Sequence, residues 1–247
     1  RLERRRAHGA VTLLSERMTR STVLRAPNGF GLGYFDDETE TPTHCLWCGT
    51  PQPIRGPYLI EFMTWNTPEQ FLELMGLIKQ WGDQVRLVTM AEPAGIQLQD
   101  LMDRPTQHYW STAGGEYASG NRAHAHYQYR ILDLGACIAA TRLPAPACAF
   151  NLVLDDPMSA RTVDGVDWRG LSGTYRVTLG AESHIETGED LALPTLWASA
   201  GAFTRLWLGV APASGLAVTD ALSGPPELLA ALDETLRLPR PVTDWAF

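Results

Sequence analysis

The side chains able to do chemistry fall into a few short groups. Cys45 and Cys48 sit in the segment His44-Cys45-Leu46-Trp47-Cys48-Gly49, which has the spacing of half a zinc knuckle. Structural zinc needs four ligands, normally with a second close pair, and Cys137 and Cys148 stand well apart from each other. No metal site is expected. A redox pair would open a helix after a strand, whereas Pro51, Pro53 and Gly56 follow here, so an ordinary strand or loop pair is the better reading. His124 and His126 have no acidic or cysteine partner nearby and read as part of a solvated linker. Ser183-His184, in a hairpin, lacks the partners of a nucleophile site.

Phosphate chemistry is equally poorly served. Gly29, Gly31 and Gly33 form a G-x-G-x-G run, but strand-like Tyr34-Phe35 follows it. A phosphate would need a helix N-terminus at that point, so the run reads as a twisted or closely packed strand. The sequence contains no G-x-x-x-x-G-K-[ST] loop, no H-E-x-x-H helix and no G-x-S-x-G elbow. No complete active site is visible in these residues.

The elements that would position such groups are easier to read. Residues 2 to 24 read as a helix followed by a strand, and the Pro27-Asn28-Gly29 turn leads into a strand from Phe30 to Phe35. An acidic loop, Asp36 to Thr43, comes next. Tyr58 to Trp65 is a strand, and Thr67-Pro68-Glu69-Gln70 carries the N-cap, N1 proline and capping-box glutamine of a helix start. Phe71, Leu74, Met75 and Ile78 then repeat at helical spacing until Gly82, and Gln84 to Met90 reads as a strand. Strand, crossover helix and strand make a βαβ unit with parallel strands. A short helix is expected over Ile96 to Met102, and the polar stretch Arg104 to Arg130 places a domain boundary near residue 125. Beyond it the pattern gives a helix over Leu132 to Thr141, strands over Ala149 to Leu154 and Gly173 to Leu179, and three closing helices near 200–208, 214–222 and 227–236. The expected organisation is α+β, with domains at 1–125 and 126–247.

The totals exclude several classes. The 247 residues are 45% hydrophobic and 19% charged, enough apolar material for real cores. A net charge of −8 argues against a nucleic-acid partner. The one basic cluster, Arg1, Arg4, Arg5 and Arg6, cannot share a single helix face and reads as solvated. There is no apolar run of membrane-spanning length and no opening signal peptide, so a cytoplasmic protein without a membrane partner is expected. Four cysteines are too few for a disulfide framework.

The last part of the chain resembles a known family. Helix, paired strands, then Phe203-Thr204-Arg205-Leu206-Trp207-Leu208-Gly209, a short helix, Gly224-Pro225-Pro226 and a leucine-rich helix resemble a sterol carrier protein domain, of which the L-x-L-G turn is the most recognisable stretch. The ending Leu238-Pro239-Arg240-Pro241-Val242-Thr243-Asp244-Trp245-Ala246-Phe247 resembles that of the Eis-like (enhanced intracellular survival) acetyltransferases of the GNAT superfamily. The βαβ stretch Tyr58 to Met90, with Glu92-Pro93 and Gln97 to Leu101, resembles the end of that family's second, degenerate GNAT-like domain. The resemblance implies a degenerate GNAT-like layer followed by a sterol-carrier-like domain. It also implies an amine acceptor, a homo-oligomer, and acetyl-CoA bound by a further GNAT domain.

The family's R/Q-x-x-G-x-G/A acetyl-CoA turn has no counterpart, because Arg25 to Gly29 has the wrong spacing. No cofactor is therefore expected in this chain. With its opening Arg1, the chain looks like the family's last two domains alone. By the same resemblance, the terminal carboxylate of Phe247 is the general base for the acceptor amine, and Asp244 and Trp245 line the acceptor side. Ala246 departs from the acidic residue the family often carries there. Pro239 and Pro241 stiffen this tail, and Trp245 and Phe247 give it apolar anchors, so it is expected to leave its own domain and pack toward the first half. The rival expectation is a non-catalytic carrier holding an apolar ligand between sheet and helices.

Overall fold

A computed structural model describes residues 10–12, 15–36, 38, 40–93, 95–103, 114–120, 128–161, 165, 167–239 and 241–243. His124, His126, the basic cluster at 1–6, Asp244, Trp245 and Phe247 lie outside the described residues. The chain divides into two units, Arg1–His124 with Pro241–Phe247, and Ala125–Arg240.

Unit 1 begins with β1 (Ala10–Thr12), α1 (Glu16–Arg25), β2 (Phe30–Phe35) and β3 (Pro42–Gly49). Residues 2–9 lie outside the described residues, and the end of this stretch is helix rather than the expected strand. Ser15 decides it: its Oγ accepts the Met18 N–H at 3.3 Å as an N-cap, and Glu16 pairs with Arg20 one turn on at 2.8 Å. β4 (Tyr58–Thr64), α2 (Pro68–Gln80) and β5 (Val88–Met90) complete the sheet, in the order β2-β3-β4-β5. The first two pairings are antiparallel and β4–β5 is parallel across α2. The α2 capping box forms as the sequence indicates, with Thr67 and Gln70 bonding reciprocally. Phe71 and Leu74 bring α2 down on Leu46, Cys48, Ile60 and Met63. β5 is shorter than its apolar run. The Val85 N–H goes to Trp81 O and the Arg86 N–H to Arg55 O, so these groups are spent before the ladder starts. The expected helix over Ile96 to Met102 is a 3₁₀ turn at Leu98–Leu101.

Unit 2 contains α3 (Leu134–Ala140), β6 (Cys148–Asp155), β7 (Gly173–Leu179), β8 (His184–Thr187), β9 (Thr195–Ser199), α4 (Ala200–Trp207), α5 (Ala213–Thr219), β10 (Leu222–Ser223) and α6 (Pro226–Thr235). The strand order is β10-β9-β6-β7-β8, with β6 and β9 parallel and the other pairs antiparallel. β9 and β10 have no separate signature in the sequence. β9 runs directly into α4, where Ser199 Oγ accepts the Ala202 N–H at 3.0 Å.

The L-x-L-G turn has a specific geometry. Gly209 sits at φ +69° just past α4, its N–H bonds to Leu206 O and the Val210 N–H bonds to Arg205 O. This is a Schellman ending, which favours glycine. Space requires glycine as well, because a Cβ at Gly209 would stand 2.7 Å from Leu238 Cβ.

Candidate functional site

Of the expected site, the described residues reach as far as β11 (Val242–Thr243), immediately before Asp244, Trp245 and Phe247. β11 pairs in parallel with β1, Ala10 opposite Val242 and Thr12 opposite Thr243, and this segment belongs to unit 1.

A bound acyl-CoA would need a helix entry with free N–H groups. α2 follows a strand of the four-stranded sheet, and its entry is already satisfied. Pro68 has no N–H, and the Gln70 N–H bonds to Thr67 Oγ. Glu69 puts its own carboxylate in the first turn, held below its usual range by its backbone N–H and the Thr67 hydroxyl. An arriving phosphate would meet a negative charge where it needs donors. The Arg25 to Gly29 stretch also cradles nothing. Asn28 Nδ2 donates to Thr50 O at 3.1 Å and Thr50 Oγ1 donates to Asn28 O at 3.1 Å, tying the turn to the end of β3.

Motif reading missed one polar cluster among the described residues of unit 1. His44 lies on β3 in the inward register of Leu46 and Cys48, and is only 3% exposed. Tyr34 stacks on its ring at 4.5 Å, and Nδ1 lies 2.9 Å from Thr43 Oγ1. Nε2 is 2.8 Å from Glu73 Oε2 on α2, but the approach is not aligned as a hydrogen bond. Residues from β2, β3 and α2 thus meet at one point. Only the alternation of β3, which puts a histidine on its apolar face, could have pointed to it.

The cysteine pair is structural. Cys45 and Cys48 both lie on β3, and a register shift at Trp47/Cys48 separates them. Burial, opposed by the Leu59 backbone group, pushes the Cys48 thiol up to about 11, so it stays protonated and inert. Among the described residues no group of three or more His, Cys, Asp or Glu side chains could hold a metal. A groove of about 500 Å³ lies between the β3–β4 turn and the segment after α2. Its charges, Arg55, Arg86 and Asp83, are mixed, and Arg86 is already over the Tyr117 ring at 5.3 Å.

Unit 2 has its own polar node. The Asp156 carboxylate is fully buried; Oδ1 accepts from Arg130 Nη2 and the Met158 N–H, and Oδ2 from the Leu171 N–H. Burial disfavours its charge, yet the Arg130 guanidinium and the two backbone donors outweigh that and hold it below the usual carboxylate range. Arg130 also stacks 5.3 Å over Trp168. Both carboxylate oxygens are engaged from within, as in a structural pair. Between sheet and helices, Phe150, Leu152, Leu196, Phe203 and Leu232 are each 1% exposed or less and fill the apolar space.

The four-stranded and five-stranded sheets with helices packed on them define a mixed α+β fold that solved structures share. The solved structures that share it include a probable N-acyltransferase from Enterococcus faecalis V583, at TM-score 0.62 and 19% identity over 88% of this chain and 49% of that one. A GCN5-related N-acetyltransferase from Anabaena variabilis ATCC 29413 matches at TM-score 0.62 and 12% identity, over 89% and 51%. Eis1 from Mycobacterium abscessus matches at TM-score 0.59 and 14% identity, over 84% and 49%. The chain therefore spans about half the length of these structures. No protein-family model matches the chain, and no curated protein matches it in sequence. Among the described residues no helix is long and apolar enough to cross a membrane.

Proposed function

We propose that this chain is part of an acetyl-CoA-dependent N-acetyltransferase acting on amines, and that it supplies the acceptor-side base rather than the acetyl-CoA site. The observation that carries this reading is the pairing of β11 with β1, which ties the segment leading to Phe247 to the GNAT-like unit. Four residues beyond Thr243 can move the terminal carboxylate by no more than about 14 Å. Asp244 and Trp245, within that span, are proposed to line the acceptor.

The Phe247 carboxylate would take the proton that the amine loses as its nitrogen bonds to the acyl carbon, the C–S bond of the acyl thioester breaking and coenzyme A leaving as a thiolate that solvent protonates. A free α-carboxylate, with a pKa of about 3.3 to 3.7, is too weak a base near neutral pH unless burial raises it. The self-capped entry of α2 supports the view that acetyl-CoA is held outside this chain. The filled interior of unit 2 counts against the sterol-carrier-like alternative of an apolar ligand.

The decisive experiment uses an intact homologue that includes the acetyl-CoA domain. One residue added after the terminal phenylalanine keeps the ring but moves the carboxylate. Turnover should fall by about 10²-fold or more, the usual contribution of a general base, with little change in melting temperature. Unchanged turnover would make the tail purely structural. In parallel, calorimetry of this chain with acetyl-CoA should show no micromolar binding.

A further inference from the structure

A single hydroxyl proton fixes which nitrogen of His44 carries hydrogen. Thr43 Oγ1 lies 3.1 Å from Tyr34 O and 2.9 Å from His44 Nδ1. A hydroxyl has one proton to donate, and a carbonyl oxygen can only accept. The Thr43 proton is spent on Tyr34 O, so the hydroxyl meets the ring as an acceptor and Nδ1 must be the donor. In a neutral ring that leaves Nε2 with a lone pair, buried and 2.8 Å from Glu73 Oε2. Two acceptors would then stand at contact distance with no proton between them. Glu73 is 53% exposed, so water supports its ionised form. The conflict is relieved when Nε2 is protonated as well.

The surrounding groups point the same way. Tyr34 on β2 lays its ring on the imidazole at 4.5 Å and 15°, and an aromatic face attracts a cation. α2 adds Glu69 one turn before Glu73, a second negative charge on the same side of the helix. On the far side of β3, β4 reaches this level with Thr64, opposite Cys45, which does not titrate. The only cation on these four elements, Lys79, lies more than a turn beyond Glu73 on α2.

We propose that His44 is a proton-dependent latch between β3 and α2. With both ring nitrogens protonated it donates to Thr43 and faces the Glu73 carboxylate as a cation. Burial alone disfavours a charged ring, so the second proton is kept only while Glu73 stays beside it. When Nε2 gives up that proton to solvent, its lone pair opposes the carboxylate, and Glu73 turns away into water. α2 then loses its polar tie to β3 and rests on Phe71 and Leu74 alone. The latched form holds one more proton than the released one, so its stabilisation is present while the ring is charged and is lost as pH rises through the ring's titration. The device lies within unit 1 and is independent of the acyl-transfer reading.

The test is a nitrogen-15 NMR titration of the histidine-labelled wild-type chain from about pH 5 to 9, which spans the range where histidine changes charge. His44 is identified by its contacts to the Tyr34 ring. Both ring nitrogens should be protonated at the acid end, and Nδ1 should keep its hydrogen after Nε2 has lost its own. A ring neutral throughout, or a neutral ring with its hydrogen on Nε2, overturns the proposal. Glu73→Gln should lower the melting temperature by about 2 to 4 °C at the acid end, and this gap should close or reverse as the wild-type ring is neutralised. A gap that does not change with pH, or none at all, overturns it too. The ring readout is made on the wild type and stands even if the variant fails to fold.

Discussion

The two units are held together by different means. Unit 2 closes around twenty-two buried residues, with Phe150, Phe203, Leu206 and Leu232 at its centre. Unit 1, among its described residues, has six. It compensates with reciprocal hydrogen bonds, Asn28 with Thr50 and Thr67 with Gln70, and with the stacking of Tyr34 on His44. A large close-packed core gives tolerance of polar change at the surface and intolerance of volume change inside. A small core bordered by hydrogen bonds depends more on each cap and turn. The chemistry proposed for this chain lies on the second kind of support.

Phe203→Ala should do the greatest damage. Truncating this core ring should cost about 3 to 5 kcal/mol, and exchange protection should fall across β6, β7 and β9 more than in α2. Equal loss in both units would break the comparison. Arg130→Met comes next, because it leaves the fully buried Asp156 without its cation. A deficit of about 3 kcal/mol at neutral pH is expected. Since the Asp156 carboxylate is held below its usual range, its contribution is present above about pH 4 and is lost as pH falls. The gap between wild type and variant in thermal melts should therefore close in acid. A gap independent of pH would mean that Arg130 acts only by packing on Trp168.

Gly209→Ala combines a left-handed backbone with a clash against Leu238, and should cost about 1 to 3 kcal/mol in a urea titration. The smallest effect sharpens the contrast from the other side. Thr67→Ala removes the α2 cap and should cost about 1 kcal/mol, read as faster exchange in the first turn of α2. If it destabilises more than Phe203→Ala, the polar ties of unit 1 have been underrated.

Local signals carried most of the elements into the structure. The Pro27-Asn28-Gly29 turn, the α2 capping box and the stripe of Leu228, Leu232 and Leu236 each act within a few residues, so their outcome is written where they stand. β9 was not legible because its five residues are stabilised by β6, more than forty positions earlier, and only Leu196 and Ala198, on one face, are buried. The His44 and Asp156 clusters were hidden for the same reason. Their partners, Glu73 and Arg130, are 29 and 26 positions away, and no spacing rule joins them. The candidate base came from the resemblance of the tail, and Phe247 itself lies outside the described residues.

The pairing of β1 with β11 joins positions some 230 residues apart. Loop closure over such a span is entropically costly and slow relative to local contacts. A ribosome delivers the chain in order, so all of unit 2 has been synthesised before Val242 and Thr243 exist. Unit 1, begun before unit 2, is completed after it. The strand leading to the proposed base therefore pairs only after every residue of both large sheets has been made.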